Sequence, residues 1–168
     1  MNNINYLDVI AHTTEKLSNG GIFLTVGGDV PNTMTIGWGS LGFCWAKPVF
    51  TVVVRPQRHT FEILKATKAF TVSVPTINAL KAELSFAGTK SGADVDKFNG
   101  HGLTAAAAQA VAAPIVAECG LHFECAVRLM QDMTPDRMDM EVLNRAYPAR
   151  DMHTMFFGEI IACYSTDA

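Results

Sequence analysis

The sequence predicts a mainly β domain, an antiparallel closed barrel flanked by short helices. Three observations carry that class. "PVFTVVVR" (48–55) is a β-branched, almost continuously apolar run, the pattern of a strand buried on both faces. "LHFECAVRL" (121–129) alternates, with Leu121, Phe123, Cys125, Val127 and Leu129 on one side and His122, Glu124, Ala126 and Arg128 on the other. That spacing predicts a core face and a solvated face. Strand-like segments also outnumber helical ones, whereas a parallel sheet needs a crossover helix after nearly every strand.

The elements follow in order. Leu7, Ile10, Ala11, Thr14 and Leu17 share one helical face, and "SNGG" (18–21) ends that helix. "GIFLTV" (21–26) reads as a strand and "GGDVPN" (27–32) as the turn into the next. "NTMTIGWG" (32–39) is β-branched and glycine-rich, one strand with a bulge or a close backbone approach. After "PVFTVVVR", a short helix covers "RHTFEILKAT" (58–67), with Thr60 as its N-cap. "AFTVSVP" (69–75) is a strand closed by Pro75. "TINALKAEL" (76–84) reads as a helix capped by Thr76 or Asn78, with Leu80 and Leu84 one turn apart. "AGTKSGADVDKFNGHGL" (87–103) is polar and glycine-punctuated, a functional loop or a set of short turns and helices. "HTMFFGEIIACYS" (153–165) is a final strand kinked at Gly158.

Length and composition bound the function. The 168 residues suit a single domain with one core. Hydrophobic residues make up 49% and charged residues 17%, which predicts apolar surface buried in an oligomer. A net charge of -3 offers no basic field for nucleic acid or an anionic membrane. No apolar run reaches membrane-span length, and the first residues lack a signal peptide's basic start and apolar centre, so a cytoplasmic protein is expected. The four cysteines form no CxxC pair, which argues against a zinc knuckle or redox dithiol. Cys125 and Cys163 sit in apolar runs and read as small core residues.

Gly37, Gly39 and Gly42 spell G-x-G-x-x-G. In a dinucleotide-binding unit such glycines turn a strand directly into a helix. Here Pro48 and the β-branched run behind it follow instead, so the required context is missing. The dehydrogenase reading is rejected. A bulged strand alone does not explain why small, polar and aromatic residues gather beside "RPQRHT" (55–60).

"NTMTIGWGSLGFCWAKPVFTVVVRPQRHTFEIL" (32–64), "AGTKSGADVDKF" (87–98), "AAPIVAECGLHFECAV" (112–127) and "HTMFFGEI" (153–160) stand in this order along the chain. Each is weak alone; together they resemble the flavin reductase-like, FMN-binding split-barrel family, its flavoredoxin group in particular. The resemblance implies a six-stranded antiparallel Greek-key split barrel over residues 1–168, and a homodimer with flavin near the interface. It also implies FMN, with FAD possible, as cofactor and NAD(P)H as transient electron donor.

A flavin tail needs cations and aimed N–H donors. "RPQRHT" supplies Arg55, Arg58 and His59, with Thr60 at a helix start whose dipole favours an anion. The ring needs backbone groups along its polar edge and a flat slot. Thr35, Ile36 and Gly37 offer the backbone groups. The resemblance adds Asn32 and Met34, and Trp38 stacks on the ring or serves as a core or interface residue. By the same resemblance Lys90, Ser91 and Gly92 form the loop that reaches the flavin, where a cation would stabilise charge developing on reduction. Lys97 matches the family's DK pair, with a surface ion pair to Asp96 as the plain alternative. His153 matches the position where nicotinamide or an acceptor docks. His122 and Glu124 read as the solvated face of a strand, and no metal site is indicated.

The resemblance implies an NAD(P)H-dependent flavin or ferric reductase that serves a small-molecule or protein electron acceptor. The alternative is a flavoredoxin-type electron-transfer protein without NAD(P)H turnover of its own. A third reading, a split barrel whose flavin site has decayed, is opposed by the intact R-x-x-R-H-T and SG…DK motifs.

Overall fold

The computed structural model describes residues 1–75 and 80–166. The chain opens with β1 (Asn2–Asn3), a 3₁₀ turn (Tyr6–Val9), α1 (Ile10–Ser18), β2 (Ile22–Val26) and β3 (Asn32–Ile36). It continues through β4 (Gly39–Cys44), β5 (Lys47–Val54), α2 (His59–Thr67), β6 (Ala69–Val74) and α3 (Lys81–Thr89). Then come β7 (Ala105–Ala106), β8 (Ile115–Val116), β9 (Leu121–Asp132), α4 (Met140–Ala146) and β10 (Thr154–Ser165). The Thr76 and Asn78 caps expected for α3 lie outside the described residues.

The main sheet is antiparallel and runs β3-β2-β6-β9-β10-β5-β4, with β1 added to the far end of β10. β5 and β6 are consecutive strands with β9 and β10 inserted between them, the long return of a Greek key. Among the described residues this sheet has eight strands rather than the six expected, and its ladder does not close. The reason lies in "NTMTIGWG", which is not one bulged strand. It breaks at Gly37 and Trp38 into β3 and β4. Those two strands end the sheet path at opposite sides. Two residues therefore draw the sheet's ends together while leaving a seam without hydrogen-bonded pairing.

Inside the curl lies the main core, built from Ile22, Leu24, Val26, Phe50, Val52, Phe70, Val72, Phe123 and Phe156, among others. The opposite face of β2 is also covered. Phe23 packs with Leu84 and Ala87 of α3, Leu103, Val116 and Cys119. This second cluster fastens α3 to the outside of the sheet. Cys125 and Cys163 are buried free thiols, as expected.

Several expectations change in the structure. The helical face of Leu7, Ala11 and Thr14 is exposed, because the 3₁₀ turn resets the phase and α1 buries Thr13 and Leu17 instead. β5 buries Val49, Phe50, Val52 and Val54, but Thr51 and Val53 stay half-exposed. β4 begins opposite Val52, so beyond that point the outer edge of β5 borders the seam. Thr60 is not the N-cap; Arg58 is, without a side-chain bond.

The largest correction concerns β9. His122 and Glu124 are fully buried, because the segment around β7 and β8 lies over that face. Glu124 accepts the backbone N–H groups of Gln109, Ala110 and Val111 and the Tyr164 hydroxyl at 2.6–3.1 Å. The His122 ring sits between Ser73 Oγ (3.0 Å) and Thr166 Oγ1 (3.1 Å). A buried carboxylate is tolerable here because four donors replace its water. Leu121, Phe123, Cys125 and Val127 face the core as read, but the register shift between Val127 and Leu129 leaves Leu129 exposed and packs Met130 against the core instead. The layer over His122 and Glu124 comes from residues remote in sequence.

Gly158 marks a register shift between β9 and β10. A Cβ there would stand 2.5 Å from Phe70 Cζ and 2.8 Å from Cys125 Cβ. Gly158→Ala should cost about 1–3 kcal/mol by overpacking, read as a lower urea midpoint with an unchanged slope. A second test uses pH. Burial pulls His122 down from 6.5 to about 4. Above pH 6.5 the ring is neutral in both states and the contribution is complete. As pH falls, the unfolded ring takes a proton that the folded ring refuses until about pH 4, so stability is lost across that window. The melting temperature of the wild-type chain should fall more steeply over that range than that of His122→Gln.

Candidate functional site

Two adjoining cavities open at the seam, sharing Met34 and Arg58. The first, about 180 Å³, is lined by Met34, Thr35, Ile36, Gly37, Trp38, Val53, Arg55, Arg58 and His153. Its walls thus come from β3 on one side and the end of β5 on the other. β3 ends the sheet, so one of its backbone edges has no strand partner among the described residues. Trp38, in the link between β3 and β4, is 49% exposed. Its ring lies 5.2 Å from the His153 ring and 6.1 Å from that of Tyr147.

The second cavity, about 100 Å³, is formed where the start of β3, the start of α2 and the end of α3 converge. Arg58, His59, Lys90 and Lys97 line it, and no carboxylate does. Arg58 and Lys90 are exposed and not spent on ion pairs among the described residues. The α2 N-terminus adds N–H groups that no side chain caps, so this end is built for an anion.

Three ties hold the cavity's walls. Asn32 Nδ2 donates to Thr60 Oγ1 at 2.8 Å, which joins β3 to α2. Thr35 Oγ1 donates to the Leu84 carbonyl at 2.6 Å, which joins β3 to α3. Lys97, only 3% exposed, donates to the carbonyls of Thr33 and Ala87, both at 2.8 Å. Burial and then the nearby Arg58 pull the Lys97 ammonium down to about 8. Lys97 is therefore a staple with at most one N–H left for a ligand, and it is not ion-paired with Asp96, whose Oδ1 accepts from Phe98 N. Gly92 packs so closely on Asn32 that any Cβ would strike the amide, and His59 Cδ2 stands 3.0 Å from it. That contact explains a glycine after Ser91.

All the residues expected to bind the flavin or its partner line one cavity or the other. Asn32, His59, Thr60, Lys90, Ser91, Gly92 and Lys97 line the cationic end. Thr35, Ile36, Gly37, Trp38, Arg55 and His153 line the seam end, and Met34 and Arg58 line both. Arg55 is separated from its expected group. Its guanidinium pairs with Asp151 at 2.9 Å and lies 5.8 Å above the Tyr147 ring. Its Nε is buried without a hydrogen-bond partner among the described residues, an orphaned donor beside the cavity.

Sequence reasoning missed Tyr147, Asp151 and Val53. Tyr147 and Asp151 sit in the unassigned stretch 130–152, and only the fold carries them to the seam. Tyr147 is 3% exposed, and its hydroxyl lies 2.9 Å from His153 Nδ1. Burial, with Arg55 and Arg58 beside it, pulls His153 down from 6.5 to about 4, against the opposing charge of Asp151. At neutral pH the ring is uncharged. Among the described residues there is no group of three or more metal-ligating side chains, and no helix long and apolar enough to cross a membrane.

The residues fit a flavin. The cationic cavity suits a phosphate, and the seam cavity suits a flat ring with a polar edge against the free edge of β3. Comparison with known proteins points the same way. The family model of the flavin reductase like domain matches residues 15–168. An uncharacterized protein of Archaeoglobus fulgidus is 31% identical over 147 residues, covering 87% of this chain and 72% of that protein. Among solved structures, the flavoredoxin of Desulfovibrio vulgaris superposes with a TM-score of 0.69 and 25% identity, covering 88% of this chain and 69% of that one. The NADH:FAD oxidoreductase of Streptomyces globisporus, in complex with NAD and FAD fragments, gives 0.66 and 25%, covering 88% and 76%.

The cationic cavity generates a direct test. Arg58→Ala combined with Lys90→Ala should weaken FMN binding roughly 10- to 100-fold, from about 1.5 kcal/mol per charge-assisted bond. Both side chains are exposed, so unfolding stability should stay within about 0.5 kcal/mol. An unchanged FMN titration would refute the phosphate assignment.

Proposed function

The chain belongs to the flavin reductase-like family, and from that premise we propose that it is an FMN-binding oxidoreductase, with FAD as the alternative cofactor. In this reading it passes electrons from NAD(P)H through flavin to a small acceptor or a partner protein. The observation that carries it is one groove with a cationic, carboxylate-free end at Arg58, His59, Lys90 and Lys97 and a second end walled by Trp38, the neutral His153 ring and the edge of β3, with Arg58 bordering both.

Flavin, when bound, supplies the ring that accepts and returns hydride, so the chain needs no nucleophile or general base of its own. The protein's part is to bind, orient and exclude water. Arg58, His59, Lys90 and the first N–H groups of α2 hold the phosphate. The unpaired edge of β3 at Thr35, Ile36 and Gly37 meets the ring's polar edge. Trp38 and His153 wall the side from which nicotinamide or another partner approaches. Lys97 acts at one remove, by fixing β3 and the end of α3 relative to each other.

The likeness to the NADH:FAD oxidoreductase supports the nicotinamide donor. The likeness to flavoredoxin supports the alternative, an electron-transfer protein without NAD(P)H turnover of its own. Pairing of two copies is part of the proposal. Phe43 (66% exposed), Trp45 (55%), Leu129 (40%) and Ile161 (43%) stand uncovered on β4, the β4–β5 turn, β9 and β10. That is an expensive set to leave in water. A cytoplasmic setting completes the reading.

The test is an absorbance spectrum after addition of FMN or FAD, then oxidation of NADH and NADPH with and without ferric chelate or free flavin. Flavin uptake together with steady-state oxidation of either nucleotide is the expected outcome. Flavin uptake without nucleotide oxidation would transfer the assignment to the electron-transfer alternative. Protein that takes up no flavin would overturn both.

A further inference from the structure

The seam cavity holds one polar ring whose hydrogen-bonding state is set by a residue outside the cavity wall. His153 Nδ1 lies 2.9 Å from the Tyr147 hydroxyl, and the same hydroxyl lies 3.3 Å from Met133 Sδ. A phenol has one proton to donate. The two candidate acceptors are an imidazole nitrogen and a thioether, and a thioether is the weaker acceptor. The Arg55 guanidinium above the phenol ring, at 5.8 Å, further favours giving the proton over accepting one. Donation to Nδ1 leaves the imidazole proton on Nε2.

We propose that Tyr147 is a positioning residue that locks His153 as the neutral Nε2–H tautomer, so that the seam cavity presents a hydrogen-bond donor to whatever docks beside the flavin. The occupant this selects carries a neutral acceptor atom at that point, such as a carboxamide or ketone oxygen. A second donor or an anion-seeking cation is not what this ring offers.

The placement is built to hold. α4 begins under an Asp139 cap, whose carboxylate accepts from Glu141 N and Val142 N. Tyr147 follows the helix directly and its N–H bonds the Leu143 carbonyl at 3.0 Å. Arg150, in the left-handed region at φ 58°, turns its guanidinium back onto the carbonyls of Leu143 and Tyr147, both at 3.2 Å, and onto Asn144 Oδ1 at 2.9 Å. The Trp38 ring, 5.2 Å from the His153 ring, limits its rotation from the cavity side. Burial also raises the Tyr147 phenol and lowers His153, so both groups stay neutral across the ordinary pH range, as the donor–acceptor pair requires.

The ring state stands on this geometry alone; its consequence for a docking molecule rests on the flavin reading above. The experiment separates the two. Full-length protein with ¹⁵N-labelled histidine rings is examined by two-bond ¹H–¹⁵N correlation at pH 7, and the His153 signals among the five histidines are assigned by their loss in His153→Gln. The expected spectrum shows a protonated Nε2 and a bare Nδ1. In Tyr147→Phe that pattern should move toward a tautomer mixture, and in Met133→Leu it should persist. A proton on Nδ1 in the wild type, an unchanged pattern in Tyr147→Phe, or a switch in Met133→Leu would each overturn the proposal. The Met133→Leu arm and the wild-type spectrum decide the matter even where Tyr147→Phe does not fold. In turnover, Tyr147→Phe should raise the KM for NAD(P)H about 3- to 10-fold, the size of one neutral hydrogen bond, and change kcat less than about twofold. A wild-type chain that oxidises no NAD(P)H would remove the reductase reading and leave the ring assignment to the spectrum.

Discussion

Everything at the site depends on a sheet that curls without closing. β3 and β4 are joined by Gly37 and Trp38 alone, yet they end the sheet path at opposite sides. The short link brings the ends together, and the break in strand geometry prevents them from pairing. Unpaired backbone edges are a liability that proteins usually cover. Here the uncovered edge of β3 and the end of β5 become the two walls of a cavity. The half-exposed Val53 and the exposed Trp38 are intelligible as consequences of that seam, not as defects in the core.

The second constraint is charge. The groove's cationic end carries Arg58, His59, Lys90 and Lys97 with no carboxylate among its lining. Holding four basic groups together is possible because one is satisfied internally and three stay in solvent. Lys97 is buried but satisfied by two carbonyls. Arg58, His59 and Lys90 are exposed. Arg55, at the other end of the groove, is paired with Asp151, and Arg58 borders both ends. One groove thus has a cationic end and an end walled mainly by uncharged groups. A lone carboxylate facing Arg58 would undo the division.

Much of this was legible before folding. "PVFTVVVR" and "LHFECAVRL" announced strands through β-branching and alternation, and β5 and β9 follow them. The cluster "RPQRHT" announced an anion site because cations precede a helix start, and the family resemblance brought the turn at 90–92 to the same site. Local errors had local causes. The 3₁₀ turn at Tyr6–Val9 rotated the face of α1, and Thr60 serves Asn32 rather than the helix end. The burial of His122 and Glu124 was not legible at all. A strand's polar face looks the same whether water or a remote segment covers it, and the donors for Glu124 come from Gln109–Val111.

The sequence by itself determined the longer strands, the antiparallel class and the cationic segment before α2, since these follow from periodicity and side-chain chemistry along the chain, and its resemblance to a flavin-binding family supplied the rest of the candidate site. Tertiary structure alone decided that "NTMTIGWG" breaks into two end strands, that Arg55 leaves the cationic end for Asp151, and that Tyr147 reaches His153. Those outcomes depend on which distant segments the curled sheet brings within hydrogen-bonding distance, and no local pattern carries that information.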